Sequence, residues 1–382
     1  FDYDGRLRTP MTAHPKLCPV TGELLFFGYQ FLNEPWLTYH RVDASGTLVQ
    51  SEVIEIPNPI MMHDFAITEH YSLFFDLPIV FSIDNGGFRF KREAGGRIGV
   101  MPRAGTNADV KWFEVEPCTV FHSFNAYERG DEIVLQVCRA SSIMEHGMSD
   151  LGDQSTPWQW NLDLTTGRAT ETHLDDHHGD FPRVDDRLIG QPARYGYMAG
   201  LRPGPSPDFT AEIFKYDLDA GTVETHSFGD DAVHVFEPVF APAGPDAAED
   251  EGWVVCLTHD DRTDVGAGVE GRGRLDPVRQ LEADDVAGAQ AQPRHRVGES
   301  SRLRQHLPHV AIDLQHLVTG LLLERRGDLG DRPTIARTGA QGDLVGRRQR
   351  RRPDQRCADQ QAAEERERRH RGPIPVGPGW RL

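Results

Sequence analysis

Three histidines carry the strongest chemical signal in this chain of 382 residues. His14 lies in Met-Thr-Ala-His-Pro-Lys (11–16), His63 in Met-Met-His-Asp-Phe-Ala-Ile-Thr (61–68) and His122 in Val-Phe-His-Ser-Phe-Asn-Ala-Tyr-Glu (120–128). Taken singly, each reads as a core or turn histidine satisfied by a backbone carbonyl. Taken together they suggest more, because neutral imidazole is the commonest metal ligand in proteins. The steps between them are 49 and 59 residues. A four-stranded propeller blade with its turns needs about 40–50 residues, so ligands from successive or neighbouring blades could meet on a common axis.

The elements that would have to position these side chains read as short strands. Glu23–Tyr29, Leu37–Val42, Tyr71–Leu77, Glu132–Cys138, Ile213–Leu218 and Trp253–Leu257 are strand-length runs rich in aromatic and β-branched residues. Turn signals separate them, among them Thr21-Gly22, Ala44-Ser45-Gly46, Arg129-Gly130-Asp131, Thr166-Gly167 and Ala220-Gly221. Few stretches hold a 3.6-residue apolar period. The chain is therefore expected to be all-β; periodicity alone leaves open whether the strands build a propeller or a two-sheet sandwich.

Composition divides the chain in two. All 19 Phe and all 8 Tyr precede residue 241, and residues 261–382 hold no Lys but 23 Arg. Net charge is −23 over residues 1–260 and +5 beyond, which makes up the overall −18. Residues 265–382 read as a low-aromatic tail rich in Arg, Gly and Ala. Its Gly346–Arg352 run could meet nucleic-acid phosphates, but no aromatic residues interleave to stack on bases and the acidic first part repels a phosphate backbone. No nucleic-acid partner is expected. The preferred reading is a segment translated out of frame, with ordinary disorder as the alternative, because a GC-rich gene read in the wrong frame yields this composition.

Five scattered cysteines, Cys18, Cys118, Cys138, Cys256 and Cys357, form no C-x-x-C pair and read as reduced thiols of a cytoplasmic protein. No apolar run is long enough to span a membrane. Phosphate-binding glycine loops and a G-x-S-x-G elbow are absent. The loop holding His173, His177 and His178 reads as solvated, and Cys118 reads as a buried structural thiol.

The histidine motifs also carry a resemblance. Thr-Ala-His-Pro-Lys, Met-Met-His-Asp-Phe and Phe-His-Ser-Phe-Asn-Ala-Tyr closely resemble the first three iron-ligand motifs of the carotenoid cleavage oxygenases. Gly-Asp-Phe-Pro-Arg-Val (179–184), Arg194-Tyr195-Gly196-Tyr197 and Phe-Glu-Pro-Val-Phe (236–240) extend the resemblance, which runs from Phe1 to about Asp264. It implies a seven-bladed β-propeller, here a partial one over residues 1–264 with the N-terminus and closing blades missing. It also implies an iron(II) cofactor held by four histidines, three of them matched by His14, His63 and His122, leaving two coordination positions for dioxygen and a nearby double bond. The reaction it implies is cleavage of a C=C bond in a carotenoid, apocarotenoid or stilbene-like substrate to two carbonyl products. The partners are then an apolar small molecule and O2, with loose contact to a membrane surface.

Two departures qualify the resemblance. The fourth histidine belongs in a Phe-His-Gly context, and His295, His306, His309, His316 and His370 occupy none. The family's glutamates orient ligand histidines through the second ring nitrogen; Glu237 matches one, while Asp180 stands where the family has Glu and, one methylene shorter, is expected to reach its histidine through water. The rival reading is a truncated, inactive propeller acting at most as a binding scaffold. A calcium-dependent hydrolytic propeller is a distant third, since it needs clustered Asp, Asn and Glu.

Overall fold

Alternating hydrophobic strands settle into a series of small antiparallel sheets in the computed structural model. It describes residues 2–262 apart from 85, 148, 149, 151 and 203–207, and beyond them the backbone of two strands, Val265–Arg272 and Arg279–Leu281. The chain divides into two units, Phe1–Leu307 and Pro308–Leu382, and the second lies wholly outside the described residues. So does Cys357, and with it most of the expected tail.

The first sheet is built from β1 (Lys16–Leu17), β2 (Leu24–Tyr29), β3 (Leu37–Val42) and β4 (Leu48–Ile54) in simple antiparallel succession. The second takes β5 (Ala66–Ile67) and β6 (Tyr71–Asp76), inserts the separate hairpin β7 (Ile79–Ser82) and β8 (Gly87–Phe90), and closes with β9 (Gly96–Pro102) and β10 (Lys111–Val115). The third is β11 (Thr119–Arg129), β12 (Glu132–Ala140), β13 (Thr156–Asp163) and β14 (Ala169–His173), and the fourth β15 (Gly179–Arg183), β16 (Tyr195–Leu201), β17 (Phe209–Asp217) and β18 (Thr222–Ser227). The fifth holds β19 (Val233–Val235), β20 (Val239–Pro242), β21 (Gly252–Asp260), β22 (Val265–Arg272) and β23 (Arg279–Leu281). The four-stranded antiparallel sheets, and the fifth with its extra strand β20 pairing β21, have the form of propeller blades. Because β21 pairs with β22 from Trp253↔Arg272 to Asp260↔Val265, strand pairing runs across the boundary expected at residue 264.

Strands expected from the sequence sit where the aromatic runs placed them, with β3 matching at both ends and β12, β17 and β21 extending further. The extensions hold polar residues on one side, which a search for apolar runs stops short of. At Arg129-Gly130-Asp131 the turn between β11 and β12 puts Gly130 at φ 64°, the left-handed region that glycine enters without a Cβ clash. Among the described residues the helical elements are single 3₁₀ turns at Arg92–Ala94, Asn107–Asp109 and Asp186–Leu188. None of the described helices is long and apolar enough to cross a membrane.

The main core joins the first three blades. Phe27, Tyr39, Phe65, Phe74, Phe113 and Trp160 are essentially fully buried in it. The first strands of neighbouring blades, β5, β11 and β15, lie side by side, so residues on or just before them converge. That arrangement positions the histidines: His14 precedes β1, His63 precedes β5 and His122 lies within β11.

The segment leading to His14 is held down by two residues of the first blade. A Cβ on Gly28 would collide with the Pro10 carbonyl oxygen and with Thr9, whose Cβ would be 2.6 Å away. Buried His40 stacks on Phe26 with centroids 4.9 Å apart, and its Nε2 and Nδ1 lie 2.7 and 2.9 Å from the Thr9 and Ser51 hydroxyls.

Two outcomes are expected. Gly28→Ala forces the 9–14 segment off the blade and should cost about 1–3 kcal/mol in a urea titration; an unchanged midpoint would show that the segment is not seated there. Burial holds His40 down at about 4, below the ordinary 6.5, so folding favours its neutral form. Its contribution is complete above pH 6.5 and is lost as pH falls toward 4, at up to about 1.4 kcal/mol per pH unit. His40→Gln should remove that part of the slope in urea midpoints measured across this range.

Candidate metal centre

Three imidazoles from three blades meet at one point. His14 Nε2 lies 3.0 Å from His63 Nε2 and 3.2 Å from His122 Nε2, and the ligand atoms of all three fall within 4.8 Å of one another. A first-row divalent metal bonds imidazole nitrogen at about 2.0–2.1 Å, which puts ligands at right angles about 3 Å apart. The donor set therefore fits such an ion without large movement.

Local sequence aims each ring. His14 follows Thr12, whose Oγ1 accepts from the His14 N–H (3.1 Å) and donates to the His63 carbonyl (3.2 Å), tying the first two segments together. His122 sits at an irregularity in β11, where the register with β12 shifts on either side of Ser123. Such bulges re-aim a side chain. A second bulge faces it in β15, between Asp180 and Arg183, where Phe181 adopts φ 55°. Together they bring Asp180 Oδ1 within 2.9 Å of His122 Nδ1 and lay the Phe181 ring against the His122 ring at 4.4 Å. Phe121 packs against His63 with centroids 5.6 Å apart.

The Asp180 contact is direct. The expectation that aspartate would need a bridging water is corrected, because the bulge carries the backbone toward His122 and makes up for the shorter side chain. With Nδ1–H donating to Asp180, the neutral ring presents its Nε2 lone pair to the centre. Glu237 is placed otherwise: its Oε1 accepts from Arg183 Nη1 at 2.8 Å, and Arg183 also donates to Asp186 at 2.9 Å. Among the described residues the guanidinium fork holds this carboxylate, and the histidines considered for the fourth ligand lie outside them.

Electrostatics favour uncharged rings at two of the three positions. Burial, reinforced by the neighbouring His122, pulls His14 down to about 2 and His63 to about 4. His122 moves the other way: burial opposes protonation, but the Asp180 carboxylate outweighs it and raises the ring above its ordinary value.

A further group was not singled out in the sequence. Asp64 is buried between the three segments, with Lys16 Nζ 2.7 Å from its Oδ1 and the Ser123 N–H and hydroxyl donating to its Oδ2 at 2.9 and 2.8 Å. Its signal was present in the motifs, since Lys16, Asp64 and Ser123 each lie one or two residues after a histidine.

Other sequence candidates go elsewhere. His177 Nδ1 pairs with Asp175 at 2.6 Å, and Tyr216 donates to the same carboxylate. His173 packs on Trp158. Among the described residues, the His14, His63 and His122 group is where His, Cys, Asp or Glu side chains cluster as a metal would require. Cys118 is buried and its thiol is pushed up to about 11 by that burial, which suits a structural thiol and not a nucleophile. The residues considered for a fourth ligand, His295, His306, His309, His316 and His370, lie outside the described residues.

This bladed all-β fold has known counterparts. A sequence model of the retinal pigment epithelial membrane protein (RPE65) family matches residues 1–268, and the chain belongs to that family of carotenoid cleavage oxygenases. Similar proteins include carotenoid 9,10(9',10')-cleavage dioxygenase 1 of Pisum sativum, 34% identical over 69% of this chain and 53% of its own length. The carotenoid cleavage oxygenase of Mycobacterium tuberculosis is 29% identical over 66% of this chain and 61% of its own. Among solved structures, lignostilbene dioxygenase of Pseudomonas brassicacearum superposes with a TM-score of 0.65 at 28% identity, covering 72% of this chain and 63% of that one. The chain thus spans a little over half the length of the curated relatives it matches.

Removing the Asp180 side chain is expected to leave the buried His122 Nδ1–H without an acceptor. Asp180→Ala should cost about 1–3 kcal/mol of stability by urea denaturation, and Asp180→Asn, which keeps an acceptor oxygen, distinctly less. Equal losses in the two variants would show that the hydrogen bond does not contribute.

Proposed function

We propose that the protein is an iron(II)-dependent dioxygenase that cleaves a C=C bond of a carotenoid, apocarotenoid or stilbene-like substrate. The observation that carries this reading is the convergence of three imidazole nitrogens, two of them on rings held neutral by burial. When bound, iron(II) supplies the means to activate dioxygen, and His14, His63 and His122 are the residues that would hold it. The overall reaction balances as one alkene plus one O2 giving two carbonyl compounds, with no reductant consumed.

The remaining work falls to the chain. Asp180 keeps the His122 proton on Nδ1, so Nε2 stays a donor. Phe121 and Phe181 wall the histidines with apolar surface. Phe121 also packs against a second apolar cluster of Ile79, Phe88, Phe90, Ile143 and Met144, which supports an apolar substrate approaching from the β7–β8 side and excludes water from the centre. Four buried cysteines free of disulfides among the described residues support a reducing, cytoplasmic setting, with the membrane surface as the source of such a substrate.

Metal content tests the reading directly. The full chain, loaded anaerobically with iron(II) and desalted, should retain close to one iron per protein by mass spectrometry, and His63→Ala should retain essentially none. With ¹⁸O2, each carbonyl product of an apocarotenoid or stilbene substrate should carry one labelled oxygen. A soluble, folded chain that retains no iron would leave the inactive scaffold as the reading for this protein.

A further inference from the structure

The buried carboxylate of Asp64 lies between the three histidine segments, and its hydrogen-bond partners are other than the imidazoles. Its side chain is 2% exposed and receives four donors. Oδ1 accepts from Lys16 Nζ (2.7 Å) and from the Phe65 N–H (2.8 Å); Oδ2 accepts from the Ser123 N–H (2.9 Å) and hydroxyl (2.8 Å). Lys16 is two residues beyond His14, Asp64 is the residue after His63, and Ser123 is the residue after His122. One carboxylate therefore ties together the backbones that carry all three rings. The tie also accounts for the bulge in β11: Ser123 sits between two register shifts, and its N–H goes to Asp64.

We propose that Asp64 is a positioning residue for the metal centre, pinning the three histidine segments in register through Lys16 and Ser123. The inference rests on the metal-site reading above and deepens it. The chemistry requires a carboxylate at this position. Asparagine has one acceptor oxygen, so satisfying Ser123 would turn its NH2 toward the Lys16 ammonium and the Phe65 N–H, setting donor against donor. Alanine would leave the ammonium and three further donors without a partner. Lysine-to-arginine exchange at position 16 keeps the charge that faces Oδ1, whereas methionine removes it.

Cobalt(II) binding by the full chain tests this, because both affinity and the visible spectrum report how the ligands converge. Asp64→Asn should bind cobalt(II) about 10- to 100-fold more weakly, the usual effect of losing a group that supports ligand orientation, and with an altered spectrum. Asp250→Asn is the control for a structural loss alone: Asp250 pairs with the buried Lys215 at 2.6 Å and with the Tyr197 hydroxyl at 3.1 Å, in the loop before β21 and on a different blade from the three histidines. It should lose stability and keep its cobalt affinity within twofold. Lys16→Met should follow Asp64→Asn, and Lys16→Arg should retain binding; this pair decides the matter if Asp64→Asn fails to fold. Affinity and spectrum unchanged in Asp64→Asn, equal loss in the Asp250→Asn control, or equal binding by the two Lys16 variants would each overturn the proposal. If the wild-type chain takes up no cobalt, the metal-site reading falls. The ¹⁵N resonances of histidine-labelled protein then decide this inference on their own: all three imidazoles should shift in Asp64→Asn, and rings that stay in place would refute it.

Discussion

Everything in the site depends on making three imidazoles converge from segments whose strands belong to separate sheets. His14 and His63 are 49 residues apart and His14 and His122 are 108 apart, yet their Nε2 atoms approach to 3.0 and 3.2 Å. Hydrogen bonding within a blade cannot enforce this, because each ladder fixes only its own strands. The constraint has to be met between blades. The close packing of β5, β11 and β15 brings the backbones near, and the polar ties through Thr12, Asp64 and Asp180 set the final ångström.

Regular strands would not serve this purpose well. In an undisturbed ladder the side chain of each residue is committed to one face by the period of two. Both β11 and β15 break their register where a side chain must turn toward the centre: on either side of Ser123 in one strand, and between Asp180 and Arg183 in the other. Breaking a ladder frees backbone donors, and both bulges reuse them locally. The Ser123 N–H goes to Asp64 and the Phe181 N–H to Asp180. The irregularities and the buried carboxylates are thus parts of one device, since neither would be stable without the other.

Much of this could be read in the sequence, and the parts that could not share a physical reason. Aromatic and β-branched runs marked β2, β3, β6, β12, β17 and β21 because strand formation there is driven by burial, which leaves a compositional trace. The three histidines were legible because their motifs stood out and their spacing was close to blade length, the 59-residue step spanning the inserted β7–β8 hairpin. The directness of the Asp180 contact was not, since it depends on a bulge that no residue type announces. Glu237 stood in a recognisable motif, but Arg183 lies 54 residues away on another blade, and only the fold brings that guanidinium to it. Asp64 was in plain view beside His63. Nothing in the sequence distinguishes a buried carboxylate at that position from a solvated turn residue.

The choice of an ion pair at the centre of a site that needs neutral rings has an electrostatic logic. A lone buried carboxylate would stabilise protonated imidazole and so compete with metal coordination. Lys16 counters this: at both His14 and His63 the Asp64 charge favours protonation and the Lys16 charge opposes it. With the two fields opposed, burial decides, and both rings lose their protons well below neutral pH. The pair thereby gives the three segments a rigid, directional tie whose net charge is zero. A neutral hydrogen-bonding residue would impose less order on the segments. An unpaired charge would impose order at the expense of the donor lone pairs that the histidines are there to supply.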